Sequence, residues 1–136
     1  MRYLKAEIVS LLLGHFGPDS RRIEHALEVF IEAECQRRAM PDPEIYDAEI
    51  VTAVALLHDV GIKPSEEKYG YNNGRTQEEL GPPIAERLLT GIAFPPEKIP
   101  VVCEIIGNHH SPSRYDYPEL ELLKIADRIV NRRDEG

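Results

Sequence analysis

Asp127 is a carboxylate in a setting that demands a partner. It lies on an apolar face of the last predicted helix, at helical spacing from Leu123 and Val130. A buried carboxylate must be protonated, paired with a basic side chain or bound to a cation, because an unpaired buried charge is costly. The adjacent Arg128 points about 100° away around the helix and is poorly placed to pair with it.

His58 and Asp59 pose the same problem at the end of the most apolar predicted helix, in which Thr52 is the single polar residue between positions 50 and 57. In a fraying last turn, the imidazole and the carboxylate can reach one ion from two sides. His25 is a further candidate, because it lies beside the apolar stripe of the second predicted helix. Taken singly, each of these histidines is more often an ordinary core residue. Mixed imidazole and carboxylate ligands suit borderline divalent ions, namely Mn, Fe, Co, Ni or Zn.

The set as a whole resembles the HD-domain metal-dependent phosphohydrolase superfamily. In that family a His, a later His-Asp pair and a later Asp, all from helices, hold one divalent metal. Carried over residue by residue, the metal ligands are His25, His58, Asp59 and Asp127. The segments that carry the resemblance are ALLHDVGI at 55–62, EELGPPIAERLL at 78–89, IIGNHH at 105–110 and KIADRIV at 124–130. The resemblance covers nearly the whole chain and implies a single HD domain over residues 1–136.

The resemblance implies a small stand-alone hydrolase that attacks a phosphomonoester, a nucleotide or a related phosphodiester with a metal-activated water. Asp59 is the candidate that orients this water or takes its proton. His109 and His110 match paired histidines of the family and are predicted to contact the substrate phosphate or to serve as the acid. The alternative is that they cap a helix C-terminus.

Gln77 departs from the family pattern. Some members bind two or three metals with further histidines, one of which stands a few residues before the glycine of the LGxxIA block, where this chain has Gln77. We therefore expect one metal ion per chain.

Basic residues near the predicted ligands are candidates for binding a substrate phosphate. They are Arg22, Lys63, Arg75 and Lys124. Arg22 and Lys124 lie three residues before a ligand and so share its helix face. Glu78 and Glu79 are candidates for hydrogen bonds to a metal water or to a ligand histidine. Glu79 also matches a capping box with Thr76.

Two functions of other classes stay open. The first is a binding module that holds a metal or a nucleotide as a sensor or partner surface without turnover. The second is an iron-dependent oxygenase of the same fold, which Gln77 disfavours because a di-iron site needs more ligands.

Composition narrows the class of protein. The chain has 136 residues, a net charge of −8 and 42% hydrophobic residues, which describes one globular domain. The acidic balance argues against bulk nucleic-acid binding, which depends on Lys and Arg. No apolar run reaches the roughly 18 residues that span a bilayer, so we expect a cytoplasmic protein without membrane contact. The one-sided apolar surface of the first helix leaves a homo-oligomer open.

Helical spacing of apolar residues predicts an all-α fold, a compact bundle of about six helices. The second helix is expected to run from Asp19 or Ser20 to about Met40, and the third from Asp42–Pro43 to the His-Asp pair. Residues 61–76 are expected to form a long loop. The next helix begins either at Pro82–Pro83 or one turn earlier, near Thr76. The last two helices open at Pro95–Pro96 and at Pro118.

Overall fold

The computed structural model describes residues 2–135 and confirms the all-α class, since no strand occurs within that range. A short 3₁₀ turn covers Pro43–Ile45. The α-helices are α1 (Leu4–Phe16), α2 (Ser20–Ala39), α3 (Ala48–Leu57), α4 (Ile62–Tyr69), α5 (Gly74–Gly91), α6 (Ile99–Ile106) and α7 (Pro118–Glu135). There are thus seven in the described range, where about six were predicted. None of these helices combines the length and the apolar character needed to cross a membrane.

Helix α3 is the centre of the fold. All of its residues from Ile50 to Leu57 are buried, and it packs against α1, α2, α6 and α7. A helix that is apolar on every side is stable only when other helices cover it. Asp47 caps its N-terminus by accepting hydrogen bonds from the backbone N–H groups of Glu49 and Ile50. The carboxyl end of α3, which carries His58, is thereby held in the interior.

The prediction of a long loop over residues 61–76 is wrong, because α4 occupies half of it. This helix is polar and buries only Ile62 and Ser65, so it has too little apolar periodicity to be recognised. Pro64 falls in its first turn, where the missing N–H costs nothing. Gly70 ends the helix in the left-handed conformation with a φ of 81°.

Helix α5 begins earlier than Pro82–Pro83, and its capping box is not the predicted one. Asn73 is the N-cap, and its side chain accepts a hydrogen bond from the backbone of Thr76, whose hydroxyl in turn accepts one from the backbone of Asn73. Glu79 has no part in this cap. The two prolines lie inside the helix, a position that periodicity alone does not favour.

Two other predicted helix starts are also wrong, for a shared reason. Pro43 opens the 3₁₀ turn and α3 begins only after Asp47, while Pro95 opens a turn that precedes α6. In both places proline starts a turn that the helix does not continue. The second turn is fixed to the N-terminus of α3, because the Lys98 ammonium pairs with Asp47 at 2.9 Å and with Glu49 at 2.6 Å.

Gly61 brings the turn after His58 and Asp59 into direct backbone contact with α5. A Cβ atom at this position would lie 2.7 Å from the carbonyl oxygen of Gln77 and 2.8 Å from the backbone nitrogen of Gly81. These distances leave room for no side chain. The close approach fixes the His-Asp turn against the helix that carries Gln77.

Candidate metal centre

Three helices bring the four predicted ligands together. His25 comes from α2, His58 and Asp59 follow the last turn of α3, and Asp127 comes from α7. The Nε2 atom of His25 lies 3.1 Å from Oδ1 of Asp127 and 3.6 Å from Oδ2 of Asp59. The Nε2 atom of His58 lies 3.4 Å and 3.3 Å from the same two oxygens. Sequence positions 102 residues apart thus converge on one point.

These separations are close to those expected for atoms that share one ion. Two ligand atoms at about 2.1 Å from a metal are roughly 3.0–3.5 Å apart at octahedral or tetrahedral angles. His25, His58 and Asp127 also form a group of possible ligand atoms that lie within 4.8 Å of one another. The donor set of two imidazole nitrogens and two carboxylate oxygens therefore fits a borderline divalent ion.

His58 supplies the clearest sign that a ligand is required. Its side chain is fully buried, and its Nδ1–H donates a hydrogen bond of 2.8 Å to the carbonyl of Ala55. Because Nδ1 makes this bond, Nε2 is the ring atom that faces the carboxylates of Asp59 and Asp127, and it has no hydrogen-bond partner among the described residues. A buried polar atom without a partner is uncommon and calls for an explanation. A metal ion bound at Nε2 would supply the missing partner.

The electrostatics of the cluster favour a positive charge at its centre. Burial raises the pKa of Asp59, but His58 and His109 outweigh burial and lower the pKa to about 2. Burial lowers the pKa of His58, but Asp59 and Asp127 outweigh it and raise the pKa well above its ordinary value. Burial raises the pKa of Asp127, but His25 and His58 outweigh burial and hold the pKa far below its usual range. Two carboxylates that stay this acidic, beside a buried imidazole whose charged form is favoured, mark a place that stabilises a cation, whether a proton or a metal ion.

His109 faces the other oxygen of Asp59. Its Nε2 lies 3.9 Å from Oδ1 of Asp59, and its Nδ1–H donates to the carbonyl of Ile106 at 2.6 Å. Burial first, and then His58 and His110, lower the pKa of His109 to about 3, so the ring is neutral. Its Nε2 is buried and, like that of His58, has no hydrogen-bond partner within residues 2–135. Asp59, His109 and His110 form a second group of possible ligands.

The two glutamates predicted beside the metal hold other groups. Glu78 accepts hydrogen bonds from the backbone N–H of His110 at 3.0 Å and from the hydroxyl of Ser111 at 2.8 Å. It therefore supports the turn after α6, and none of its described hydrogen bonds goes to either ring of the histidine pair. Glu79 accepts a hydrogen bond from Tyr69, away from the predicted ligands.

The four predicted phosphate-binding cations are dispersed. Arg22 alone among them lines the described cleft at the metal centre, and there it is paired with Glu66 at 3.1 Å. Lys124 donates to the backbone carbonyl of Ser111, so it too braces the turn after α6. Lys63 and Arg75 are exposed and do not line this cleft.

The cleft opens onto His25 and Asp59 and has a volume of about 660 Å³. The sequence analysis named Arg22, His25 and Asp59 as site residues and missed the other six that line this cleft: Asp19, Arg21, Glu24, Glu28, Asn131 and Asp134. Helical spacing could have identified three of them, because residues four or seven apart lie on the same face of a helix. Arg21 precedes His25 by four residues, and Asn131 and Asp134 follow Asp127 by four and seven. Asp134 reaches within 3.7 Å of Nδ1 of His25.

The comparisons with known proteins agree with this geometry. The family model of the HD domain matches residues 22–132, a span that contains every candidate ligand described above. No curated protein and no solved structure matches the chain significantly.

Proposed function

Because the chain belongs to the HD-domain family, a family of metal-dependent hydrolase type, we propose that it is a phosphohydrolase that cleaves a small phosphate ester with a metal-activated water. The observation that carries the proposal is the partnerless Nε2 of His58, buried beside the donor atoms of His25, Asp59 and Asp127. We propose these four residues as the ligands of one divalent ion. When bound, such an ion lowers the pKa of a water and polarises a phosphoryl oxygen.

Asp59 has the geometry for two roles in this reaction. Its Oδ2 lies among the nitrogens of His25 and His58, while its Oδ1 faces the opposite side, toward His109. We assign Oδ2 to the metal and Oδ1 to the attacking water, from which it accepts a hydrogen bond and takes a proton. His109 keeps a lone pair on Nε2 beside this oxygen and holds the water there.

The proposal is tested first by metal content and phosphate release. The full chain is stripped with a chelator, reloaded separately with Mn, Fe, Co, Ni or Zn, and assayed on phosphomonoesters, nucleotides and cyclic phosphodiesters. We expect about one ion per chain in the parent and almost none in His58→Ala. The variant loses one of the four proposed ligands, and no neighbouring side chain can take its place.

His15→Gln is the matched control for the His58 variant. His15 is a half-buried histidine on α1 whose ring bonds the carbonyl of Val60, outside the candidate metal centre. It should keep the metal content of the parent. Equal metal content in the parent and in His58→Ala would refute the proposed centre. Full metal content without release of phosphate from any ester would refute the hydrolase.

The charge of the cleft favours substrates with few phosphates. Its lining carries five carboxylates (Asp19, Glu24, Glu28, Asp59, Asp134) and two arginines (Arg21, Arg22). Arg22 is also neutralised by Glu66, which leaves little positive potential beyond that of the ion. Each further phosphate charge is therefore repelled.

We expect kcat/KM for a nucleoside monophosphate to exceed that for the matching triphosphate by about tenfold, with a smaller ratio at high salt. The comparison is made without added Mg²⁺, which would mask the phosphate charge. Glu28→Gln should lower the ratio of kcat/KM for the monophosphate to kcat/KM for the triphosphate. Glu44→Gln makes the same charge change outside the cleft lining and should leave this ratio unchanged. A triphosphate that is cleaved as efficiently as the monophosphate would contradict this electrostatic argument.

A non-catalytic binding module is the second candidate, and one observation favours it. The single predicted phosphate-binding cation that lines the cleft, Arg22, is committed to Glu66 and Asp19. With this arginine already ion-paired, the exposed Arg21 is the remaining cation of the described cleft lining, and a site this poor in cations favours metal binding without turnover. The same assay separates the two candidates, since the module would keep the metal and release no phosphate.

A further inference from the structure

A continuous series of side-chain hydrogen bonds joins the cleft to His110. Arg22 donates both terminal nitrogens to Glu66, at 3.1 and 3.2 Å. The amide of Asn72 donates to the same carboxylate at 2.9 Å, and the amide of Gln77 donates to the oxygen of Asn72 at 3.0 Å. The oxygen of Gln77 then lies 2.8 Å from Nε2 of His110.

The direction of every bond in this series follows from its carboxylate end. Glu66 is paired with an arginine and only accepts hydrogen bonds, so Asn72 must turn its NH₂ group toward it. The oxygen of Asn72 is then an acceptor and requires the NH₂ group of Gln77. Gln77 in turn presents its oxygen to His110, and that contact is a hydrogen bond only if Nε2 carries the hydrogen.

We propose that Gln77 is a positioning residue that holds His110 in the form with the hydrogen on Nε2. The adjacent histidine is held in the opposite form, because the Nδ1–H of His109 donates to Ile106. The rings of His109 and His110 are only 4.0 Å apart, yet they present a bare Nε2 and an Nε2–H, respectively. Of these two adjacent histidines, His109 therefore offers a hydrogen-bond acceptor at Nε2 and His110 offers a donor.

The consequence for the reaction rests on the proposed hydrolase function. While its Nε2–H is bonded to Gln77, His110 cannot use Nε2 as a metal ligand, so His109 is the member of the pair that can. With Nε2 engaged by Gln77, Nδ1 is the other ring nitrogen through which His110 can contact the substrate. Gln77, which is 7% exposed, acts through this ring and not on the substrate.

The test is the hydrogen position on each ring, read by ¹⁵N NMR of the full chain labelled on histidine, metal-free and with Zn²⁺. We expect Nε2–H on His110 and Nδ1–H on His109. Gln77→Leu should leave His110 with a mixture of the two forms, whereas Gln77→Glu keeps an acceptor and should preserve Nε2–H. Glu79→Gln, on the same helix but bonded to Tyr69, is the control and should change neither ring.

An unaltered His110 signal in Gln77→Leu, or Nδ1–H as its main form in the parent, would overturn the proposal. If Gln77→Leu does not fold, Asn72→Leu replaces it, because removing this half-exposed link frees the amide of Gln77 to turn over. That variant should also give a mixture, and an unchanged Nε2–H would overturn the proposal equally.

Kinetics provide the second readout. Gln77→Leu should lower kcat roughly tenfold with little change in KM, as is typical when an outer hydrogen bond to a site residue is lost. Gln77→Glu, which keeps an acceptor for His110, should retain most of the parent kcat. An unchanged kcat in Gln77→Leu would overturn the positioning role in the reaction. A chain that shows the expected ring forms but cleaves no ester would refute the hydrolase and leave the assignment of the hydrogen intact.

Discussion

Asp127→Asn is expected to lose the bound metal and to lower kcat/KM by on the order of 10³-fold or more. The substitution keeps the size of the side chain and removes its charge. The oxygen that lies 3.1 Å from His25 and 3.4 Å from His58 would then belong to a neutral amide, a far weaker ligand for a divalent ion. Metal content by elemental analysis and phosphate release by steady-state kinetics are the measurements.

Asp134→Asn is the matched control for this variant. Asp134 lies two turns further along α7, lines the same cleft and approaches Nδ1 of His25 at 3.7 Å, but its side chain is 53% exposed. We expect this variant to keep its metal and most of its activity. Equal losses in both variants would mean that the general negative charge of the cleft, and not ligation by Asp127, retains the ion.

Gly61→Ala is expected to destabilise the fold by about 3 kcal/mol, as overpacking against an unyielding neighbour does. The new methyl group would lie within 3 Å of backbone atoms of Gln77 and Gly81, so one of the two segments must move. In a domain of this length, such a loss lowers Tm by about 10 °C. The turn that carries His58 and Asp59 would also shift, so the metal content should fall with the stability.

Gly14→Ala is the control for the glycine variant. Gly14 lies inside α1, and a Cβ atom there would meet nothing within 4 Å. Alanine in an open helical position should stabilise the protein by about 0.5–1 kcal/mol. Thermal unfolding followed by circular dichroism measures both changes. A Gly61→Ala protein as stable as the parent would show that α5 yields to the turn, contrary to the packing described above.

The family and the fold class were both predictable from the sequence. The His, His-Asp and Asp pattern predicts membership of the HD-domain family, which the family match confirms. The spacing of apolar residues predicts the amphipathic and buried helices. Such helices are stabilised by a buried apolar face, and the residues of that face recur in the sequence at the helical period. Helix α4 leaves little such period, because it buries only two residues and is polar elsewhere. The capping of α5 by Asn73 was not predicted, because Pro82–Pro83 gave a stronger signal for a helix start.

The candidate site was predictable in its residue types but not in its contacts. His25, His58, Asp59 and Asp127 stand out in the sequence because polar groups on apolar faces need partners. Their roles as ligands stay a prediction until the metal is measured. The predicted phosphate-binding cations have different environments in the structure: Arg22 lines the cleft, whereas Lys124 binds a backbone carbonyl in the turn after α6. The choice between binding a phosphate and binding a carbonyl depends on which groups tertiary packing puts within reach.

The amino-acid sequence specifies which side chains can bind a metal and which helices carry them, because side-chain chemistry and helical period are local properties. The tertiary structure assigns each atom its partner. The two oxygens of Asp59 face different histidines, and the hydrogens of His109 and His110 sit on different ring nitrogens. These distinctions arise from hydrogen bonds between residues that are far apart in the chain, such as Gln77 and His110. Only the packing of α5 against the end of α6 brings those two residues together.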